Sequence, residues 1–146
     1  MSRFKKQSHA VWECKYHLVW CPKYRYKILE GELAEEVEKK VREVCEWKKV
    51  NVMELNVQKD HVHVVLEIAP KYSVSEIVGI IKGKSAIRMF QRFKEMRKKR
   101  YWGNHFWSRG YCVSTVGLDE KRIRRYVKYQ EEQERQEEAQ QQEFGF

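Results

Sequence analysis

Along residues 10–20, AVWECKYHLVW, every second position (Trp12, Cys14, Tyr16, Leu18 and Trp20) is apolar or aromatic, which predicts a strand with one buried face, ended by CPKYRYK. From Glu32 the period changes: Leu33, Val37, Val41, Val44 and Cys45 recur every three or four residues, predicting an amphipathic helix to about Lys49. NVMELNV reads as a second strand, QKD as a short turn and residues 61–69 as a third strand. So short a link requires the two strands to form an antiparallel hairpin. After APKY, Ser73 and Glu76 have capping-box spacing, and Val74, Ile77, Val78, Ile81, Ile87 and Phe90 give the next helix an apolar stripe. Gly79 and Gly83 within it are expected to bend the helix or allow close packing. FWSRGYCVSTVG, 106–117, alternates as a fourth strand. Asp119 is placed to cap a last helix with Ile123, Tyr126, Val127 and Gln130 on one face. EEQERQEEAQQQEFGF, beyond Gln130, has no apolar stripe, so this part is expected to run into solvent or lie on a partner.

The order β-α-β-β-α-β plus one helix predicts an α+β, ferredoxin-like split βαβ fold with an antiparallel sheet and an added C-terminal helix. With no internal repeat and no linker, residues 1–146 are expected to form one domain, 131–146 being a polar extension. In this topology the first and third strands are central. The third, KDHVHVVLEI, then turns Val62, Val64 and Leu66 toward the helices and sets His61 and His63 side by side on the open face.

Composition narrows the partners. A chain of 146 residues with 42% hydrophobic and 13% aromatic residues can bury a real core, which excludes disorder for most of it. The net charge of +9 points to a polyanion, nucleic acid first and an anionic membrane surface second. That charge is concentrated in KGKSAIRMFQRFKEMRKKR, 82–100, where nine Lys or Arg face Glu95 alone. Most charge runs are solvated helix faces, but the interleaved acids that mark such faces are almost missing here. Lys82, Lys84, Arg88, Arg92, Lys98 and Arg100, with Arg3 and Lys5 of the N-terminal RFKK, are therefore the expected DNA-backbone contacts. The four cysteines show no C-x-x-C spacing and read as reduced core thiols. No signal-like stretch follows MSRFKK, and no run approaches the roughly 20 apolar residues of a membrane span, so a cytoplasmic protein without a membrane partner is expected.

Taken alone, H-x-H on a strand fits a sheet-surface pair as well as a metal site. Asp60, directly before it, could orient an imidazole, and the basic stretch argues for a phosphodiester substrate of the kind metal ions activate. Two imidazoles need a third ligand, and no cysteine stands at zinc spacing. In RIRRYVKYQ, Tyr126 and Gln130 lie four apart on one helical face. Singly, such a tyrosine is ordinarily core and such a glutamine ordinarily solvated. With His61 and His63 they form a constellation: two nitrogens and one amide oxygen suit Mg²⁺ or Mn²⁺ with open positions better than closed tetrahedral Zn²⁺, and Tyr126 is then the nucleophile.

HVH, YVKYQ, HLVWCPKYRYKIL, YSVSEIVGIIKGKSA and FWSRGYCVSTVG, in this order, resemble the HUH single-tyrosine transposases of the smallest bacterial insertion sequences, the TnpA type, over roughly residues 10–135. The resemblance implies a dimeric enzyme that cuts and rejoins single-stranded DNA at imperfect hairpins near the element's ends without ATP. It implies His61 and His63 as HUH ligands, Gln130 as third ligand and Tyr126 as nucleophile, and it allows the tyrosine helix to serve the partner subunit's histidines. A relaxase or replication initiator would use the same chemistry, but such proteins are usually larger. A non-catalytic single-strand or RNA-binding module on this fold would stack bases on Trp12, Tyr16, Tyr24 and Tyr26. The third strand, however, carries histidines where stacking aromatics would be expected, and no RNP-like pattern.

Overall fold

The structure is a computed structural model that describes residues 4–7, 10–23, 27–97 and 105–143. In chain order its elements are β1 (Lys5–Gln7), β2 (Ala10–Trp12), β3 (Lys15–Trp20), α1 (Gly31–Trp47), β4 (Asn51–Gln58), β5 (His61–Glu67), α2 (Val74–Arg92), the short α3 (Lys94–Arg97), β6 (Cys112–Ser114) and α4 (Glu120–Glu143). The main sheet has the order β4-β5-β3-β6, antiparallel throughout, so the first and third strands of the split βαβ unit are central. This is the expected α+β, ferredoxin-like arrangement with its added C-terminal helix.

Strand periodicity makes two cores. Leu18 and Trp20 of β3 and Val62, Val64 and Leu66 of β5 are fully buried against Val37 and Val41 of α1 and Ile77 and Ile81 of α2. Each large apolar side chain buried in this way contributes about 1.5–3 kcal/mol. The opposite face carries a smaller cluster, in which Val19 and Cys21 pack under Ile123 and Val127 of α4. The face expected to be open is thus partly roofed: His61, Val65 and Glu67 are all buried.

Helix α2 starts as its sequence requires, with the Glu76 backbone N–H donating to the Ser73 hydroxyl at 3.0 Å, and α4 likewise, with the Arg122 N–H donating to the Asp119 carboxylate at 2.8 Å. Ile87 departs from the expected stripe and is exposed, and Gly79 and Gly83 pack against nothing, no atom lying within 4 Å of where a Cβ would stand. Helix α1 ends at Trp47, and Lys49 adopts a left-handed φ of 58°.

Two strands differ from expectation. The first is broken at Glu13 and Cys14: β2 leaves the sheet to pair with β1 in a separate two-stranded ribbon, a pairing that alternation along one segment does not reveal. The fourth shrinks from 106–117 to 112–114. Its first half is a core-filling loop, with Phe106 and Trp107 buried and Trp107 stacked edge-on to Trp20 at 6.1 Å. Gly110 and Gly117, with φ of +82° and +104°, bound the short strand with turns that an L side chain rarely adopts. Beyond Gln130 α4 continues as helix to Glu143, and Glu134 on it is buried.

Candidate active site

The histidine pair is built by the two central strands and the hairpin. β5 sets His61 and His63 on one face, and antiparallel register places Gln58 opposite His61 and Asn56 opposite His63. These four, with Glu120 and Arg124 of α4, line a cavity of about 370 Å³. On the β3 side the His17 ring lies 5.8 Å from that of His63, nearly parallel.

Each imidazole is prepared differently. His61 Nδ1 lies 2.8 Å from the Asp60 carboxylate, whose other oxygen accepts from Arg124 Nη1 at 3.0 Å. Burial works to raise the Asp60 carboxyl, but its bond to His61 and the charges of His61 and Arg124 outweigh it and hold the group below the usual carboxylate range. An ionised carboxylate only accepts, so His61 Nδ1 is the donor, which in the neutral ring leaves Nε2 as the acceptor. Burial lowers the pKa of His63, Glu54 opposing and His17 and His61 adding to the shift, so its ring is neutral at pH 7. Its Nε2 is buried without a hydrogen-bond partner among the described residues.

An acceptor nitrogen fixed from behind and an orphaned imidazole nitrogen beside it are the donor set a divalent ion of the Mg²⁺ or Mn²⁺ type could use, with Asp60 as the outer partner. No group of three His, Cys, Asp or Glu that could hold a metal occurs among the described residues.

Tyr126 and Gln130 form the other half. One helical turn apart on α4, they meet directly: Gln130 Nε2 donates to the Tyr126 hydroxyl at 2.8 Å and to the Arg109 carbonyl at 3.1 Å. Tyr126 packs against the cluster of Val19, Cys21, Ile123 and Val127, and burial pushes its phenol well above the ordinary tyrosine range, Cys21 adding to the shift. One turn further, Glu134 is hydrogen-bonded to the Ser108 hydroxyl, whose oxygen also lies 3.0 Å from the Pro22 carbonyl. Tyr126, Gln130 and Glu134 line a second cavity of about 320 Å³ that shares no lining residue with the first. Within one chain, therefore, His61 and His63 come together, as do Tyr126 and Gln130, but the two pairs do not meet. Tyr129, the other tyrosine of α4, is more than half exposed.

The expected DNA contacts divide as well. Lys82 is turned inward: its ammonium donates to the carbonyls of Ser108 and Gly110 at 2.7 and 2.8 Å, and burial lowers its pKa to about 8. It ties down the loop that Gln130 bonds to and is not placed to track a DNA backbone. Arg88 and Arg92 share the buried Glu36 carboxylate at 2.7 and 3.5 Å. Lys84 is exposed near Trp47, and Lys5 lies 3.8 Å from Glu67. Arg3, Lys98 and Arg100 lie outside the described residues, as do Tyr24 and Tyr26.

Sequence reasoning missed Arg124, His17, Asn56 and Gln58. Alternation in β3 puts His17 opposite to Leu18 and Trp20, and hairpin register would have found Asn56 and Gln58. Nothing in the sequence signalled Arg124.

Comparison with known proteins places this geometry. Residues 10–130 match the family model described as "Transposase IS200 like". The transposase for insertion sequence element IS200 of Salmonella typhimurium is 42% identical over 131 residues, covering 90% of this chain and 86% of that protein. The ISDra2 transposase TnpA of Deinococcus radiodurans is 34% identical over 131 residues, covering 89% and 93%. Among solved structures, a candidate transposase from Deinococcus radiodurans superposes with a TM-score of 0.77 at 31% identity, covering 86% of this chain and 97% of that one. A REP-associated tyrosine transposase bound to a REP hairpin shares the fold, with a TM-score of 0.51 at 12% identity over 88% of this chain and 70% of that one. With the four-stranded sheet, α1 to α3 and the first half of α4 inside the matched region, the chain belongs to the IS200-like transposase family.

Proposed function

We propose that the chain is a divalent-metal-dependent transposase of single-stranded DNA that works through a 5′-phosphotyrosine, recognises hairpins at element ends and acts as a homodimer. His61 and His63 are the metal ligands, Gln130 is the third and Tyr126 is the nucleophile. The observation that carries this reading is the division of the site: each half is organised internally, yet within one chain they stand in separate cavities. Two chains exchanging α4 would unite the histidines of one with Tyr126 and Gln130 of the other. The hairpin ligand extends to this chain the kind of DNA on which the like-folded tyrosine transposase was solved.

A bound Mg²⁺ or Mn²⁺ would supply Lewis-acid polarisation of the scissile phosphate. The chain does the rest. Tyr126 loses its proton as its oxygen attacks phosphorus; the Tyr–O–P bond forms, the P–O3′ bond breaks, and the released 3′ oxygen leaves as a hydroxyl. Because the bond energy is retained in the tyrosyl ester, a second 3′-hydroxyl can attack it, re-forming a DNA phosphodiester and returning the proton to Tyr126. Tyr126 is half-buried in a cavity that the histidines do not line, and its phenol is raised there, so in this reading α4 leaves that seat for the step.

Mixing subunits tests the reading. His61→Ala and Tyr126→Phe homodimers should each fail to form a covalent adduct with single-stranded hairpin DNA in Mg²⁺. A re-equilibrated equal mixture should recover roughly a quarter of parental adduct, since about half the dimers are mixed and each rebuilds one of its two sites. No recovery in a mixture shown to contain heterodimers refutes the exchange. No adduct from the parent on any single-stranded hairpin refutes the chemistry.

A further inference from the structure

Among the described residues, Arg124 is the one α4 side chain bonded to Asp60, the residue behind His61. It stands two residues before Tyr126, and its Nη1 donates at 3.0 Å to Asp60 Oδ2, while Asp60 Oδ1 holds His61 Nδ1 at 2.8 Å. The carboxylate between them is 9% exposed, so each oxygen depends on its protein partner and not on water. An exposed arginine paired with an exposed acid would count for little. Here removal of the arginine leaves a buried charge with half its support.

We infer that Arg124 is a positioning residue for His61, one that couples the seat of the tyrosine helix to the metal affinity of the histidine pair. This rests on the metal reading above and deepens it. With Arg124 in place, the Asp60 carboxylate is aimed at His61 Nδ1, which holds the orientation of a ring that lines the same cavity as His63. When α4 leaves its seat, Arg124 goes with it and that support is lost. Linkage makes the effect reciprocal: a metal held at His61 and His63 must favour the arrangement in which some Arg124 occupies Asp60, whichever chain supplies it. The arginine thereby reports the position of the nucleophile's helix to the ligands without touching substrate.

The test is Mn²⁺ calorimetry on the full chain without DNA, with thermal melts to confirm folding. Asp60→Asn should weaken binding about 10- to 100-fold, the usual effect of removing a ligand's outer partner. Arg124→Gln should weaken it about five-fold, at the low end of coupling between sites. Arg124→Lys should recover part of that loss, and Arg124→Gln added to Asp60→Asn should cost nothing more, since the arginine acts only through the carboxylate. In the parent, Mn²⁺ should slow amide exchange over 120–127, and in Arg124→Gln it should not. Parental Mn²⁺ affinity in Arg124→Gln, or a full additive loss in the double variant, overturns the coupling while leaving the histidine site standing. His61→Ala and His63→Ala separate the two failures: unchanged Mn²⁺ binding in both sinks the metal reading and this inference with it.

Discussion

His61 and His63 stand on a strand hydrogen-bonded along its length to β4 on one side and β3 on the other, whereas Tyr126 and Gln130 stand on a helix attached through side chains. Those attachments are Ile123 and Val127 in a small cluster, Arg124 on Asp60, Gln130 on the Arg109 carbonyl and Glu134 on Ser108. A displaced histidine would cost the main core, since Val62, Val64 and Leu66 alternate with the ligands on the same strand. A displaced α4 costs a handful of polar contacts and four apolar residues. On the proposed reading, the difference is a division of labour in which the histidine half is part of the fold and the tyrosine half is a detachable arm.

Breaking the comparison at its sharpest point gives the largest expected effect. Tyr126→Phe should reduce adduct formation by more than about a thousand-fold, as loss of a covalent nucleophile does, while hairpin binding and metal binding stay near parental. Tyr129→Phe should still form the adduct, because its side chain is exposed and is separated from Tyr126 by three residues of helical rotation. Peptide mapping of the adduct decides: attachment at Tyr129 would remove Tyr126 from the mechanism.

The ligands come next. His61→Ala or His63→Ala should slow cleavage by about a hundred-fold or more, the order expected when metal polarisation is lost, with most DNA affinity kept. Gln130→Ala should be milder, and excess Mn²⁺ should restore part of its activity, because water replaces an amide oxygen more easily than an imidazole. Histidine variants that cleave as well as the parent would return HVH to the status of sheet surface.

How far these halves could be read from the sequence depends on what a residue pattern encodes. Period two fixed the face of His61 and His63, and period 3.6 fixed that of Tyr126 and Gln130, because face follows from local geometry alone. Distance between two faces does not, which is why the separation of the pairs was not visible. The fourth strand is shorter than its pattern predicts for a related reason: Phe106, Trp107 and Ser108 are buried together in a loop that plugs the core, and apolar residues mark burial there without pleating. A charge count also treats Lys82 and Lys84 alike, although one ammonium is spent on two carbonyls and the other is exposed.

Acid should separate the halves by sign. The pKa of His63 is lowered in the folded chain, so unfolding takes up a proton as pH falls below its unfolded value near 6.5; its contribution is full above that pH and lost as pH falls toward the folded pKa. Asp60, also depressed, adds a loss at lower pH, below about 4. Tyr126 is raised and stays neutral throughout this range, so it contributes none of it. Thermal melts from pH 7 to pH 5 should show a smaller drop in Tm for His63→Gln than for the parent, and an unchanged drop for Tyr126→Phe. Equal drops in all three would mean that His63 titrates in the folded chain as it does unfolded.

The smallest expected effect concerns the outer face of α2, where the two lysines make opposite forecasts. If Lys84 and Arg92 follow a DNA strand, replacing either by Gln should flatten the slope of log affinity against log salt by about 0.7 per lost phosphate contact, the single-strand value. Arg88 should contribute less than either, because its guanidinium lies 2.7 Å from the buried Glu36 carboxylate and part of its charge is already answered. Lys82→Met should leave the slope unchanged, since that ammonium is held by Ser108 and Gly110, but it should loosen the loop that receives Gln130 and so raise amide exchange at 108–110. A slope that falls with Lys82→Met and not with Lys84→Gln would reverse this assignment: the DNA would then run along the loop at the foot of the tyrosine helix, and the exposed basic stripe of α2 would be ordinary solvated surface.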